Sequence, residues 1–370
     1  MTKAAELAKW GEVSTNGQVS GRRNIIINGA MQVAQRGTSV TGLGANGTVY
    51  GTVDRFAAAS NASAGRFTMS QTADGPSGFR NCLKLDCTTV DTSIAAAEIL
   101  LIEQRIEGQN LQQLKKGTAD AEKFTISFYA KSNAERDIVL EIFEDENNRH
   151  VAKLFTIGTS WARHSYTFPA DTTGDIDDDN GIGFYLSWWL HAGATYAGGT
   201  LPAVWANNSN ANRAAGTESF FASTDNNFFL TGVQMEVGSV ATPFEHRSFG
   251  EEKLLCGRYY QKKGEEQVHS VLGHGYNNTT DDAIIFVPLT PEMRAIPTLD
   301  TGTLSKIRVT DQDASTEAIG ALSISTTDSR TGMASLNAIN ITSDTQTAGE
   351  ATALVCNNDA DGYVAFIAEL

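Results

Sequence analysis

The sequence has few cysteines, few prolines and a deficit of positive charge. Among its 370 residues are four cysteines and seven prolines, and 28 Lys and Arg residues stand against 43 Asp and Glu residues. The cysteines form no Cys-x-x-Cys pair and have no zinc-finger spacing, so we expect reduced thiols in the core. The formal net charge of −15 argues against a surface that neutralises phosphates, so nucleic acid is not an expected partner.

Long apolar runs and short catalytic motifs are also missing. No stretch approaches the roughly 20 apolar residues that span a bilayer, and "MTKAAELAKWGEV" at residues 1–13 lacks the apolar core of a secretory signal, so we expect neither conventional secretion nor membrane insertion. No Walker loop, G-x-S-x-G or H-E-x-x-H is present, so we expect a non-enzymatic protein. A glycosidase needs only two carboxylates, which leaves open a glycan depolymerase using Glu144, Asp145 or the acidic run 175–179.

What is present is the pattern of a mainly β protein. The sequence contains 34 glycines and is rich in Ser, Thr and Asn, and residues 124–131 ("FTISFYAK") alternate apolar and polar side chains. Similar short segments continue to about residue 248, which predicts a jelly-roll β-sandwich. In the last of them, residues 226–238, the pattern places Phe229, Val233, Met235 and Val237 on one face. Residues 92–108 are compatible with either a helix or a strand.

The residue pattern changes near residue 250, which predicts a domain boundary there. Residues 1–22 read as a short helical or extended attachment segment in which Leu7 and Trp10 need a partner to be ordered. Residues 23–249 form the jelly-roll domain, residues 250–262 a connecting helix, and residues 263–370 a smaller C-terminal β domain. The segment "GRRNIIINGAMQVAQRGTSV" (21–40) is expected to open the jelly roll as a strand that ends in a turn near Asn28 and Gly29.

An aromatic and amide-rich cluster is the most informative candidate site. Aromatic faces bind the C–H faces of sugar rings, and amides bond to their hydroxyl groups. Trp188 and Trp189 must point to opposite faces of a strand, so one of them is a candidate platform unless a loop or a neighbouring subunit covers it. The tentative carbohydrate-binding residues are Tyr185, Trp188, Trp189, Tyr196, Trp205, Asn207 and Asn208.

The acidic run "DTTGDIDDDNG" at residues 171–181 is a second candidate. The oxygen atoms of Asp175, Asp177 and Asp179 could hold a calcium ion, although the run departs from an EF-hand loop. A solvated turn between two strands is the alternative. We otherwise expect no cofactor.

Three segments together resemble a known group of proteins. They are "RRNIIINGAMQVAQRGTS" (22–39) with "DRF" (54–56), "FTISFYAKSN" (124–133) with "TSWARHSYTFPADTTG" (159–174), and "LTGVQMEVGSVATPFEHRSFGEEKLLCGRYYQK" (230–262). The set resembles the tail fibres and related virion structural proteins of bacteriophages, particularly marine phages. The second and third segments also resemble the jelly roll of carbohydrate-binding modules.

The resemblance implies a virion protein that attaches to host surface glycans. It implies a homotrimer assembled in the host cytoplasm, whose N-terminal segment, with Leu7 and Trp10, contacts other tail or portal-proximal virion proteins. Residues 263–370 would be the distal part, and no catalytic residue is implied. A capsid fibre or tail adaptor that never contacts the receptor is the structural alternative.

Overall fold

A computed structural model describes residue 3 and residues 22–265, 267–311, 316–342 and 346–370 of the chain. Leu7 and Trp10 of the predicted attachment segment lie outside these residues. The chain divides into two compact units, Met1–Glu252 with Leu370, and Lys253–Glu369. Strands dominate both units, so the prediction of a mainly β protein with a jelly-roll sandwich and a smaller C-terminal β domain is confirmed.

Two antiparallel sheets build the first unit. In chain order the strands are β1 (Ser39–Leu43), β2 (Gly47–Val49), β3 (Ala57–Asn61), β4 (Arg66–Thr72), β5 (Cys82–Thr89), β6 (Ile99–Glu107), β7 (Phe124–Ser132), β8 (Arg136–Glu144), β9 (Arg149–Ile157), β10 (Ala162–Phe168), β11 (Ile182–Ala192), β12 (Ala206–Asn207) and β13 (Asn227–Val237). Sheet A has the order β1-β4-β5-β13-β7-β10, and sheet B has the order β12-β9-β8-β11-β6-β3-β2. The short helix α1 (Ala194–Ala197) follows β11.

The core of the first unit lies between the two sheets. Along the longer strands, residues that point inward alternate with residues that point outward, and the inward ones are almost wholly buried. Phe124 of sheet A stacks on Phe168 at 5.4 Å between ring centroids and lies 5.9 Å from Phe184 of sheet B. The apolar faces of the two sheets therefore close on each other as in other β-sandwiches.

The ambiguous segment 92–108 contains a strand. Residues Ile99–Glu107 form β6, which lies between β3 and β11 in sheet B, and no α-helix forms there. Nearly every side chain of β6 is buried, because both faces of sheet B are covered at this point. A strand buried on both faces gives a continuous apolar run, which periodicity alone does not separate from a buried helix.

The segment after residue 22 does not form the predicted opening strand, and the first strand begins at Ser39. The N–H of Ile25 donates to the carbonyl of Met235 at 2.9 Å. At Ile27 the side chain of Gln104 replaces a neighbouring strand, since it accepts from the N–H at 3.0 Å and donates to the carbonyl at 2.9 Å. The backbone is thus satisfied by side-chain amides instead of a ladder, which the alternation of isoleucines does not reveal.

The predicted turn near Asn28 and Gly29 is present. Asn28 has a φ of 60°, and its carbonyl accepts from the N–H of Met31 at 2.9 Å. A Cβ on Gly29 would lie 2.1 Å from the carbonyl oxygen of Val233, so this close approach to β13 requires glycine.

A β-bulge in β13 changes the predicted facing of one aromatic residue. The register against β7 shifts between Thr231 and Gln234, and Gly232 has a φ of 61°. Val233 and Met235 point into the core, whereas Phe229 lies on the outer face of sheet A under two lysines. The sequence pattern, which placed Phe229 with the core residues, is wrong because the bulge inserts one residue into the alternation.

The second unit is a smaller, separate β structure. The helix α2 (Phe249–Gly257) spans the division between the units, and Tyr260–Gly264 is a strand, so the predicted connecting helix is shorter than residues 250–262. The strands are β14 (Tyr260–Gly264), β15 (Val271–Asn277), β16 (Ala283–Pro288), β17 (Thr298–Asp300), β18 (Ile307–Asp311), β19 (Thr316–Ile324), β20 (Met333–Ile341), β21 (Ala351–Cys356) and β22 (Tyr363–Ile367). They form a three-stranded sheet, β14-β22-β17, and a closed barrel, β15-β16-β20-β19-β18-β21.

Two further expectations concern the whole chain. The four cysteines, all among the described residues, are buried and belong to no disulfide, which confirms that they are core thiols. Within the described residues, no helix is long and apolar enough to cross a bilayer.

Candidate functional site

The two neighbouring tryptophans of β11 lie on opposite faces of sheet B, and both are buried. Trp188 is 0% exposed in the sandwich core, where its ring lies 5.6 Å from that of Phe128. Trp189 is 1% exposed and packs with Leu101 and Val139 on the outer face. The expectation that one of the pair offers its ring to solvent is therefore corrected, because a later segment of the chain covers Trp189.

Residues 193–222, the covering segment, include side chains that cover the part of the outer face of sheet B around Trp189. The ring of Tyr196 lies 5.5 Å from that of Trp189, and Ala214 is 0% exposed in the same apolar cluster. The N–H of Ala152 in β9 donates to the carbonyl of Pro202 at 3.1 Å. Of the alternatives for the outward-facing tryptophan, the structure shows cover by a loop.

A buried carboxylate holds the covering segment in place. Glu141 of β8 is 0% exposed and accepts from Nε and Nη2 of Arg213 at 2.9 Å each. It also accepts from Trp189 Nε1 at 2.9 Å and lies 2.9 Å from His150 Nδ1. Burial alone would raise the pKa of Glu141. The hydrogen bond with His150 and the charge of Arg213 lower it by more than burial raises it, so the net pKa shift is downward. Glu141 is thus a charged group whose neighbours compensate its burial.

Rings and guanidinium groups alternate across this face. Arg213 lies 4.7 Å from the ring centroid of Phe143 and 5.1 Å from that of Trp189. Phe143 lies 5.7 Å from Tyr185, whose ring has the guanidinium of Arg105 at 5.2 Å. We call this set the aromatic strip. It comprises Arg105, Phe143, Tyr185, Trp189, Tyr196 and Arg213.

The strip is partly exposed to solvent. Phe143 and Tyr185 are half-buried, and the side chains of Arg105 and Arg213 are each 19% exposed. Burial and the neighbouring Asp145 carboxylate raise the pKa of the Tyr185 hydroxyl. The hydroxyl, which is hydrogen-bonded to the Asp145 side chain, therefore stays protonated, while the ring offers an apolar surface beside it.

Arg105 is held from more than one side. Its Nη2 lies 2.7 Å from Glu103 Oε1, and its Nη1 donates to the Leu370 carbonyl oxygen at 2.6 Å. Burial raises the pKa of Glu103, an effect that the charge of Arg105 opposes. Both guanidinium groups of the strip are therefore paired with a buried carboxylate.

The remaining tentative carbohydrate-binding residues lie elsewhere. Trp205 is 8% exposed, its ring lies 5.6 Å from Phe184 in the core, and its Nε1 donates to the Pro169 carbonyl at 2.9 Å. The side-chain oxygen of Asn207 accepts from Arg149 at 3.1 Å, and the N–H of Asn208 donates to the Asn148 carbonyl at 2.8 Å. Of the predicted set, the structure brings together Tyr185, Trp189 and Tyr196.

The three aspartates proposed for calcium belong to a turn. Asp179 Oδ1 accepts from the N–H of Gly181 at 2.8 Å, and the N–H of Asp177 donates to Glu146 at 2.8 Å. The Asp175 carbonyl accepts from Asn147 Nδ2 at 2.6 Å. In the part of the chain that the structure describes, no three His, Cys, Asp or Glu side chains form a group that could hold a metal ion.

A second aromatic surface, on the outer face of sheet A, is not apparent in the sequence. We call it the sheet A patch, and it contains Phe79, Lys84, Tyr129, Lys131, Trp161, Phe229 and Phe244. Lys131 lies 4.7 Å from the ring centroid of Phe229 and 5.2 Å from that of Trp161. The bulge at Gly232 is the feature that turns Phe229 outward, and its only signal in the sequence is a glycine inside a strand pattern, which is weak.

Glu144 and Asp145, which were suggested for the depolymerase alternative, differ in their exposure to solvent. Glu144 is 0% exposed with Lys116 at 3.3 Å, whereas Asp145 is exposed. A hydrogen-bonded chain links Ser219 Oγ, His191 and Glu98 at 2.8 and 3.1 Å. His191 is 0% exposed, so this chain ties the end of the covering segment to sheet B.

The comparisons with known proteins give only distant likenesses. No protein-family model and no curated protein matches the chain. Among solved structures, the chain is similar to the CBM22-1 xylan-binding domain from Paenibacillus barcinonensis Xyn10C, with 8% identity and a TM-score of 0.29 over 60% of this chain and 100% of that one. It is also similar to the enzymatically active domain of Bacteriophage CBA120 tailspike protein 4, with 10% identity and a TM-score of 0.29 over 58% of this chain and 21% of that one.

A third similar structure is the tandem CBM22-1-CBM22-2 domain of the same Xyn10C. It has 9% identity and a TM-score of 0.28, over 94% of this chain and 99% of that one. Identities and TM-scores this low assign no function to the chain.

Proposed function

We propose that this protein is a non-enzymatic glycan-binding protein and that the aromatic strip is its binding surface. The observation that supports the proposal most directly is the row of half-buried rings, Phe143 and Tyr185, held between Arg105 and Arg213. Sugar rings present apolar C–H faces beside hydroxyl groups. A strip that alternates flat rings with hydrogen-bond donors offers both kinds of contact within one surface.

The strip is prepared for binding before any ligand arrives. Glu103 and Glu141 are buried and fix the two guanidinium groups, so little side-chain entropy remains to be lost on binding. Because both guanidinium charges are already paired, the strip presents donors without a strong excess of positive charge. An uncharged glycan fits this surface better than a polyanion, which the net charge of −15 would repel.

We further propose that the protein is part of a phage virion, as a tail fibre or other receptor-binding protein. The support is the resemblance of residues 22–39 with 54–56, 124–133 with 159–174, and 230–262 to tail-fibre sequences. In this proposal the protein is a homotrimer, attaches to the particle through residues 1–22 and contacts host glycans. Several weak sites on one particle would give strong attachment by avidity, so each strip needs only modest affinity.

The binding proposal is tested by substitution of one ring on each sheet. A glycan array of bacterial surface polysaccharides first identifies a binder, and calorimetry then compares the wild type, Tyr185→Ala and Trp161→Ala. Tyr185→Ala should raise Kd about tenfold or more, because it removes one of the two half-buried rings of the strip, and circular dichroism checks that the variant is folded. Trp161→Ala, in the sheet A patch, should bind as the wild type does. Equal binding by Tyr185→Ala and the wild type would contradict the proposal.

The virion proposal and the enzymatic alternative need separate experiments. Gold-labelled antibody against the protein should mark the phage tail in electron micrographs, and a label at a head vertex would instead support a capsid fibre. Incubation with the bound polysaccharide should leave its chain length unchanged. Shortened chains would establish a depolymerase.

A further inference from the structure

One side of the barrel in the second unit presents apolar side chains outward. In β16, alternate side chains are buried in the barrel core. The side chains between them point away from the core, and they belong to Ile284, Phe286 and Pro288. Outward positions of an antiparallel sheet that faces water are usually polar, so an apolar set needs a reason.

The strand before β16 continues this apolar side. The register of the two strands sets Tyr276 of β15 beside Ile284. It also sets His274 beside Phe286. Residues directly opposite each other in an antiparallel pair share a face, so both of these β15 side chains point outward. Val271 begins the same strand and is 55% exposed.

The next strand on each side extends the apolar side further. By the same register rule, β21 and β20 contribute Ala351, Ala353, Val355, Met333, Ser335 and Asn337. We call the outward side of β21, β15, β16 and β20 the barrel face. It is four strands wide, and none of these outward side chains is charged, although 19% of the whole chain is Asp, Glu, Lys or Arg.

The barrel face is partly accessible to solvent. Tyr276 is 40% exposed and Met333 is 37% exposed, whereas Ile284 and Phe286 are half-buried. The ring of Tyr276 lies 6.5 Å from that of Phe286. Aromatic residues, methionine and a lack of charge are features of the centre of a protein–protein interface, so the barrel face has the composition of an interaction surface.

Charge and chemistry favour a second copy of this chain as the partner. Each copy carries a net charge of −15, so copies repel each other where their charged surfaces approach. A face without charged side chains avoids close like-charge pairs and buries no ion. A glycan fits the face less well, because its hydroxyl groups would lose water without finding partners among Val271, Ile284 and Ala353.

We infer that the barrel face is the surface through which the chains contact one another in the homotrimer, an inference that rests on the homotrimer of the proposed function. Tyr276 and Ile284 lie on the two middle strands of the face. Neighbouring copies therefore bury these side chains most completely, and substitutions there should have the largest effect on assembly.

Sedimentation velocity of the full chain tests the inference with a matched pair of valines. Val271→Glu places a charge on the barrel face, and Val204→Glu places the same charge on the covering segment, where Val204 is 64% exposed. The wild type and Val204→Glu should sediment as trimers. Val271→Glu should dissociate at a protein concentration about tenfold higher or more, and Tyr276→Glu should sediment as a monomer.

Cross-linking provides a second readout that does not depend on the stability of a charged variant. The four native cysteines are buried, so Tyr276→Cys and Val204→Cys each add one accessible thiol. A short bismaleimide should link chains of Tyr276→Cys and leave Val204→Cys as single chains on a denaturing gel.

Two results would overturn the inference and leave the homotrimer standing: a trimeric wild type whose Tyr276→Glu and Val271→Glu variants are also trimers, or no cross-linking of Tyr276→Cys. A monomeric wild type would overturn both. Loss of glycan binding in Tyr276→Glu without a change in sedimentation would assign the barrel face to the glycan and would also overturn the inference. Glycan binding through the aromatic strip is tested separately by Tyr185→Ala, so the two proposals fail independently.

Discussion

The outer faces of the two sheets both carry aromatic rings under cations, but they hold those cations differently. On sheet B, Arg213 is fixed by Glu141, a carboxylate that is 0% exposed. On sheet A, Lys131 pairs with Asp74, whose side chain is 52% exposed. The Glu141–Arg213 pair is rigid because water does not reach the buried carboxylate. In the Lys131–Asp74 pair, water competes with the lysine for the exposed carboxylate. A pre-formed binding surface is therefore expected on sheet B.

The largest difference between the two faces should appear when each carboxylate is neutralised. Glu141→Gln leaves Arg213 without its buried counter-charge and should cost about 3–5 kcal/mol of unfolding free energy. Urea unfolding measures this loss. A cost below about 1 kcal/mol would mean that water enters beneath the covering segment and that the two faces are alike.

The inner faces of the sheets could be predicted from the sequence, and the outer faces could not. Alternation in residues 124–131 identified a strand and placed Phe124 and Phe128 on one face, which is the core face, since a strand has a fixed period of two. The burial of Trp189 depends on Arg213, which lies 72 positions from its anchor Glu141. No local pattern carries information about a contact so distant in sequence.

The candidate site was predicted in part for the same reason. Tyr185, Trp189 and Tyr196 were singled out by their composition as an aromatic cluster, and the structure places them on one face. Phe143 and Arg105 come from other strands, so only the register of β8, β11 and β6 brings them beside Tyr185. Register is fixed by the whole sheet, which explains why the composition of one segment missed them.

Acid should lower the free energy of unfolding through two histidines, one of which, His191, binds the end of the covering segment. Burial lowers the pKa of His191, despite Glu98, and burial also lowers that of His164. The unfolded chain, with histidines near 6.5, then takes up protons that the folded chain does not. Stability is therefore fully present above about pH 6.5 and falls at lower pH, by up to about 1.4 kcal/mol per pH unit for each histidine.

Urea unfolding between pH 7.5 and 5 measures this slope. His191→Gln should make it shallower by the contribution of one proton while that of His164 remains. An identical slope in the wild type and the variant would show that His191 does not report on this region.

The smallest effect is expected on sheet A. Asp74→Asn removes the charge that faces Lys131 but keeps the Asp74 carbonyl, which accepts from Trp161 Nε1 at 2.9 Å. An exposed pair of this kind contributes about 0–1 kcal/mol and is screened by salt, so the variant should match the wild type in 1 M NaCl. The loss in Glu141→Gln should persist at the same salt concentration, because its charges are buried. If salt removed both losses equally, the distinction between a rigid sheet B strip and a solvated sheet A patch would fail.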